Sequence, residues 1–377
     1  MDFALTEEQT MIRDLAQKFA REVIAPNAAE FDEKAEFPKD IVAQARELGL
    51  MNVSVPDEFG GTGGSVLDLI LVAEQLGWGC SGIGLAILLN NLAADPINVA
   101  ANDAQRKKYF GMLAEGFGAY ALTEPHAGSD AGAIKTRAEK KGNEWVISGQ
   151  KIWISNASVA DFFVVFAKTA PEKGARGMTA FLIDRDSEGL SVGKPLAKMG
   201  QKASPACEVF MEEVVVPDSQ RLGEVDEGFK IAMRVFDRSR PMVGAMATGL
   251  SQRALDEAVA YAREREAFGK PIIEHQGVGF KIAEIGMRTE ASRLLTRQAA
   301  WAKDNGINNT LYASYAKAFG SDTGMWAATE AAQLLGGYGY SKEYPAEKLM
   351  RDAKVMQIYE GTNEIQRLVM SRRLARD

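Results

Sequence analysis

The chain is short of the residues on which most side-chain chemistry depends. Of its 377 residues, two are histidines (His126 and His275) and two are cysteines (Cys80 and Cys207). A zinc site assembled from Cys and His ligands has little to build on. No disulfide framework is available, which fits a reducing compartment. A hydrolase of the Ser-His-Asp or Cys-His kind would have to draw on one of those two histidines. No apolar run reaches the roughly 18 residues of a membrane span. Met1 to Glu8 carry acids where a secretory leader needs a basic and then an apolar stretch, so the expected location is the cytoplasm. An excess of basic charge is missing too. The net charge is −7, which disfavours nucleic acid, because neutralising phosphates takes clustered Lys and Arg. The chemistry left over rests on carboxylates, hydroxyls, backbone amides and a cofactor.

What is present reads as an ordinary globular protein: 46% hydrophobic and 25% charged residues argue against disorder. Two or three domains are expected for a chain this long. Residues 1–117 read as helices. Thr6 and Gln9 form a capping-box pattern ahead of Ile12, Leu15, Ala16 and Phe19 at helical spacing, and Pro26 ends or kinks that stretch. Further helices are expected at 39–48 (closed by Gly49), 66–76 and 82–101. From 118 to 225 the period changes. Trp145–Ser148 and Lys151–Ser155 flank Gly149-Gln150, a hairpin signature, and Phe162–Phe166 is a fully apolar strand candidate. Short strands at 179–183, 206–211 and 214–216 complete a compact barrel or sandwich. From 226 to 377 the helical period returns in four long stretches, which implies a bundle.

Several motifs admit a chemical and a plain structural reading. Gly77 to Gly82 matches GxGxxG, but no strand precedes it and no βαβ unit follows, so a helix end with a Gly-rich turn is the better reading. Tyr120 to Asp130 holds hydroxyls and amides that suit a cofactor edge or a phosphate, or else forms a strand-to-loop corner. Trp153-Ile154-Ser155 offers an aromatic face and a hydroxyl to a planar ligand, or a half-buried strand. Asp237, Arg238 and Arg240 make an anion site or a solvated helix terminus. Gln333 to Tyr340 lets backbone approach a ligand, or is a helix C-cap. Glu360, just before a cap at Thr362 or Asn363, is either a structural carboxylate or a shielded base.

Together these stretches resemble the acyl-CoA dehydrogenase family along nearly the whole chain, most of all its short- and medium-chain straight acyl branch. Arg253–Ala258, Arg265–Lys270, Glu274–Gln276, Glu347–Lys354 and Ile358–Thr362 follow the family in order and spacing. The resemblance implies a mainly α fold: an N-terminal helical domain (1–117), a middle β-barrel (118–225) and a C-terminal four-helix bundle (226–377). It implies FAD between barrel and bundle, a homotetramer built as a dimer of dimers, and an electron-transferring flavoprotein as electron acceptor. By resemblance Glu360 is the catalytic base that takes the α-proton of an acyl-CoA while the β-hydrogen passes as hydride to flavin N5, giving a trans-2-enoyl-CoA, a step of fatty acid β-oxidation. The backbone amide of Glu360 and the flavin ribityl 2′-hydroxyl would hold the thioester oxygen, as an oxyanion hole does.

The cofactor contacts so implied are Tyr120, Leu122, Thr123, Gly128, Ser129, Trp153, Ile154, Ser155, Arg265, Phe268, His275, Gln276, Gln333, Leu334, Gly336, Gly337, Thr362 and Glu364. The substrate contacts are Ser129, Phe236, Asp237, Ser239, Arg240, Tyr359, Gly361 and Arg372, with Gly84 and Leu88 at the base of the acyl pocket. No metal is implied. Some branches carry the base on an earlier helix; Ser239 holds that position here and cannot serve. His126 replaces a small residue usual in the flavin loop, and Ser155 keeps a hydroxyl where Thr is frequent. Gly84 stands where glutaryl-type members hold an arginine, so an acid-tailed substrate would lack a partner. An enoyl-CoA reductase on the same scaffold and a catalytically silent FAD- or CoA-ester-binding protein are the other readings. Acyl-CoA oxidases carry a large further C-terminal domain that a chain of this length does not hold.

Overall fold

The computed structural model describes residues 4–375, so Met1 to Phe3 of the acidic N-terminal stretch lie outside the described residues. Helix α1 (Glu7–Phe19) starts with the expected capping box. Thr6 Oγ1 accepts from the Gln9 amide, and the Gln9 side chain accepts from the Thr6 amide, each at 3.1 Å. Pro26 does not end the helical path. A π-helical turn, Ala20–Ile24, leads into α2 (Ala25–Lys34), whose first turn holds the proline. Helix α3 (Lys39–Glu47) stops before Gly49 at φ +73°. Helices α4 (Val66–Ala100) and α5 (Asp103–Glu115) complete the first region.

The helices expected at 66–76 and 82–101 are thus one element, α4, with a break at Cys80 (φ −167°, ψ 117°). Its glycines serve close packing and not a turn. A Cβ on Gly77 would lie 2.4 Å from the Met246 carbonyl oxygen, and one on Gly79 2.9 Å from Ile24. A buried knot spans the break: Asp352 accepts from Lys348 Nζ (2.5 Å), Ser81 Oγ (3.2 Å) and the Gln201 amide (2.5 Å), and Lys348 also reaches Cys80 Sγ at 3.1 Å. By length and composition α4 could cross a membrane, although the sequence shows no unbroken apolar run of that size; most of it is buried inside the protein.

The middle region is an eight-stranded mixed sheet. Its strands are β1 (Gly118–Ala121), β2 (Arg137–Lys141), β3 (Glu144–Ser155), β4 (Phe162–Lys168), β5 (Met178–Asp184), β6 (Leu190–Val192), β7 (Ala206–Pro217) and β8 (Arg221–Leu222). The ladder runs β6-β7-β3-β2-β4-β5-β8, with β1 parallel to β4. Strand β4 is buried on both faces. Phe163, Val165 and Ala167 fill the sheet's own core with Ile147, Phe181 and Val209, while Phe162, Val164 and Phe166 join the helical core. The hairpin expected at Gly149-Gln150 is not there. Strand β3 runs straight through, and the turn lies at Gly142-Asn143, with Gly142 at φ +63°. Gly149 marks a bulge against β7, and it is glycine because a Cβ would lie 2.4 Å from Thr136 Oγ1.

Helix α6 (Gly228–Glu264), a short hairpin of β9 (Glu266–Ala267) and β10 (Lys270–Pro271), α7 (Gln276–Asp304), α8 (Thr310–Leu335), the one-turn α9 (Gly337–Tyr340), α10 (Ala346–Met356) and α11 (Asn363–Leu374) follow. Helices α6, α7 and α8 pack pairwise, and α11 lies on α8. The expected four long helices are all present, with α10 added. Helix α4 packs on this bundle too: a Cβ on Gly249 of α6 would lie 1.9 Å from the Glu74 carbonyl oxygen, so the two backbones touch. One hydrophobic core therefore runs from α1 to α10.

Candidate active site

Glu360 lies in the loop between α10 and α11 with φ +55°, a left-handed conformation that a non-glycine residue holds only when its surroundings enforce it. The enforcement is visible. Gln366, fully buried, donates through Nε2 to Glu360 O (3.2 Å) and Gly361 O (2.9 Å), and Arg240 Nε donates to Glu360 O at 3.3 Å. Gly361 at φ +87° leaves room for Gln366 Nε2, which a Cβ would meet at 2.7 Å. Of the two candidates for the α11 cap, Thr362 takes the role, accepting from the Ile365 amide at 3.3 Å.

Ser239, read from sequence as the empty rival position, faces this carboxylate directly: its Oγ donates to Glu360 Oε2 at 2.5 Å. Burial pushes the Glu360 carboxyl above its usual range, against the Ser239 hydrogen bond and the charges of Arg240 and Lys317. Burial lowers Arg240 as well, and it lies 3.9 Å from Asp237. Tyr120, from β1, lies tilted against Phe166 and edge-on to Phe236 at centroid distances of 5.1 and 6.2 Å, and its buried hydroxyl finds no partner among the described residues. A buried, unpartnered hydroxyl beside a carboxylate fits a bound ligand. Tyr359 OH accepts weakly from Gln201 Nε2 at 3.4 Å.

The loop after β1 is clamped from behind. Lys151, fully buried, donates to Glu124 Oε1 (2.7 Å) and Leu122 O (3.1 Å), and Glu124 also accepts from the amides of Lys135 and Thr136. Burial pulls Lys151 down to about 8. This pair was not singled out from sequence; Lys151, next to Gly149-Gln150, carries no local sign of its burial. His126 lies on the exposed side, 3.4 Å from Glu124. Leu122 is buried, Thr123 half-buried, and Gly128 and Ser129 are exposed. Thr123 O accepts from the Ile152 amide at 3.0 Å, which joins this loop to the 153–155 stretch. A second register slip between Lys151 and Ile154 swings Trp153 outward, to φ +61° and 54% exposure. A large aromatic presented this way suits a planar ligand; Ile154 beside it is buried and Ser155 half-buried.

A cavity of about 500 Å³ gathers other expected cofactor residues: Arg265, Leu334, Gly336 and Gly337, with Tyr261 and Tyr338. Gly336 (φ +61°, ψ −132°) closes α8 in a conformation reserved for glycine, and a Cβ on Gly336 or Gly337 would meet nothing, so the space beside them is open to a ligand. Gln333 and Gln276 are exposed. Phe268, on the hairpin, is 96% exposed at φ +54°, with its ring edge-on to His275.

Other expected contacts stand differently. Arg238 and Arg240 are not at a helix start but inside α6, and Arg238 is committed to Asp95 at 2.6 Å. Asp237, its carboxyl raised by burial, accepts from Thr310 Oγ1 at 2.8 Å. Arg372 and Glu364 are exposed on α11. Gly84 and Leu88 are buried in α4, and a Cβ on Gly84 would already lie 3.0 Å from Leu76 Cβ. Among the described residues no group of three or more His, Cys, Asp or Glu could hold a metal.

Residues 6–117, 119–214 and 226–375 match the N-terminal, middle and C-terminal domain models of acyl-CoA dehydrogenases. A probable medium-chain specific acyl-CoA dehydrogenase of Caenorhabditis briggsae is 43% identical over 99% of this chain and 92% of its own. The solved butyryl-CoA dehydrogenase of Megasphaera elsdenii is 40% identical, with TM-score 0.96 and full coverage of both chains. A solved structure named for the electron transferring flavoprotein of Acidaminococcus fermentans matches at 41% identity and TM-score 0.97, again over all of both chains. With three domain models in order and full-length relatives above 40% identity, the chain belongs to the acyl-CoA dehydrogenase family and is an FAD-dependent oxidoreductase.

Proposed function

We propose that this enzyme removes the α- and β-hydrogens of an uncharged, straight acyl-CoA of short to medium length, with Glu360 as the α-proton base, to give the trans-2-enoyl-CoA. The observation that carries the reading is the Glu360 carboxylate itself. It is held by Ser239 among the charges of Arg240 and Lys317, with its proton affinity raised by burial, and the Tyr120 hydroxyl nearby is left unpartnered. A raised carboxyl is a stronger base toward a weakly acidic C–H, and the removed α-proton comes to rest on Glu360. FAD, when bound, supplies the two-electron chemistry and accepts the β-hydrogen with its electron pair. The Glu360 amide is the chain's own donor for the thioester oxygen, and Arg240, Asp237, Ser129 and Arg372 bind the CoA portion.

The FAD contacts we assign are the 120–129 loop, Trp153 to Ser155, the Gly336-Gly337 cavity with Gln333, Leu334 and Arg265, and Thr362 and Glu364. Phe268, His275 and Gln276 meet a neighbouring subunit's cofactor; the near-complete exposure of Phe268 supports this. A homotetramer is supported by α7, where Phe280, Met287, Leu294 and Trp301 repeat every seventh residue and all are exposed. Domain divisions at 117/118 and 225/226 belong to the same reading. Chain length rests on the medium-chain and butyryl-CoA relatives. Leu76 against Gly84 supports an uncharged tail, because it leaves no room there for a cation. Electrons pass on to an electron-transferring flavoprotein, as the match to the Acidaminococcus structure supports.

Anaerobic titration of the purified holoenzyme with straight acyl-CoAs of increasing length tests the proposal. The oxidised flavin band bleaches with short and medium chains, and Glu360→Gln binds FAD but does not bleach. A wild-type enzyme left oxidised by every saturated acyl-CoA overturns the reaction; a Glu360→Gln variant that bleaches at the normal rate overturns the base.

A further inference from the structure

The loop that carries Glu360 is tied at both ends to one face of α8. Asp322 Oδ1 accepts from Gln357 Nε2 and from Asn363 Nδ2, each at 2.7 Å. The Asn363 amide also donates to Ser321 Oγ (2.9 Å) and Ala318 O (3.3 Å), and Asn363 Oδ1 accepts from Lys317 Nζ at 2.7 Å. Lys317 and Ser321 are fully buried and Asn363 is 3% exposed. An ammonium carries three donors, yet Asn363 Oδ1 is the one hydrogen-bond acceptor Lys317 has among the described residues. A buried lysine so thinly bonded is costly to the fold, and packing alone would favour an apolar residue there.

The charges around it indicate what it does. The charges of Glu360, Arg240, Asp322 and Glu364 act on Lys317, those of Arg240, Lys317 and Asp95 act on Glu360, and the charge of Glu360 acts on Tyr120 and Tyr359. Arg240 gives a hydrogen bond to the Glu360 carbonyl and none to its carboxylate. Asp95 is engaged by Arg238. Arg240 is thus tied to the loop at Glu360 itself, and Lys317 at Asn363, where α11 begins.

We propose that Lys317 is a positioning residue for the general base: through Asn363 it anchors the loop that holds Glu360 in its left-handed turn, and its buried ammonium favours the ionised carboxylate. The inference rests on the reading of Glu360 as base. Burial lowers Lys317 to about 7, so the ammonium is present below that pH and is lost above it. Removing the charge therefore moves the ionisation of Glu360 to higher pH.

The test is the pH dependence of flavin reduction by butyryl-CoA in stopped flow, on holoenzyme whose FAD content and far-UV circular dichroism match wild type. Lys317→Met removes charge and anchor. Lys317→Gln keeps a donor for Asn363 without the charge, and it stands in if the Met variant does not fold. In both, the acid limb shifts up by about one pH unit, roughly a tenfold loss of rate on the limb; at higher pH the Gln variant recovers, while the Met variant keeps the uniform loss that comes with the cut anchor. Asn363→Ala, which cuts the anchor and keeps the charge, lowers the rate at every pH without moving the limb. An acid limb unmoved in both Lys317 variants overturns the proposal. If Glu360→Gln also reduces flavin normally, the base reading falls with it; if Glu360→Gln is dead, only the role of Lys317 falls.

Discussion

Ser239→Ala isolates one hydrogen bond. The hydroxyl donates to Glu360 Oε2 at 2.5 Å, and Ser239 is 2% exposed, so water does not readily replace what is lost. A hydrogen bond to a buried charged group contributes about 1.5–3 kcal/mol, and about 1.4 kcal/mol corresponds to one pKa unit. The bond favours the ionised carboxylate, which burial already disfavours. Its loss moves Glu360 further in the same direction, so the acid limb of flavin reduction shifts to higher pH by about one to two units. The side chain shrinks by one oxygen and the Glu360 turn keeps its bonds from Gln366 and Arg240, so the rate at high pH stays near that of wild type. The assay is anaerobic stopped-flow reduction by a single acyl-CoA across pH, with acyl-CoA affinity measured on the Glu360→Gln background. A limb that does not move, in a variant that still needs Glu360, refutes the claim that the hydroxyl favours the ionised base. A uniform loss at every pH would instead assign Ser239 to holding the turn.

Two further expectations concern the frame. Asp352→Asn leaves Lys348 buried without its carboxylate and sets an amide against the Gln201 N–H; a loss of about 3–5 kcal/mol is expected in denaturant unfolding of the holoenzyme, and an unchanged midpoint would remove the knot from the account of the α4 break. Trp301→Glu on α7 should reduce the assembled mass in light scattering while leaving the far-UV spectrum unchanged; an unaltered mass would detach the exposed heptad stripe from subunit contact.

Periodicity made the helix–strand–helix order legible, because a change of period needs no tertiary information. It failed where a residue answers to a distant neighbour. Gly149 carries the mark of a turn, yet it is glycine because Thr136 crowds it, while the real turn two residues after β2 carries the same mark. Gly77 to Gly82 looks like punctuation, but those glycines make room for α6 at Gly77, the turn before α2 at Gly79 and the backbone of Gln201 at Gly82. Glu360 was legible as a motif. Its supports were not: Ser239 lies 121 positions away, and Lys317 sits between two alanines with no local sign that it faces a carboxylate. Arg238 and Arg240 look equivalent in sequence, and only the fold commits the first to Asp95 and the second to the Glu360 carbonyl.

The contact of α4 with α6 bears on how the chain is made. Gly77 meets Met246, and Gly249 meets Glu74, across about 170 residues of sequence. At typical rates of synthesis, roughly ten to thirty seconds separate the end of α4 from the end of α6. Through that interval a helix apolar enough to pass for a membrane span stands without its partner, however well the sheet between them folds. The earlier helices cover part of α4, and its α6-facing side waits for the later chain. Slowing translation between α4 and α6, with no change of amino acid, should lower the yield of native enzyme.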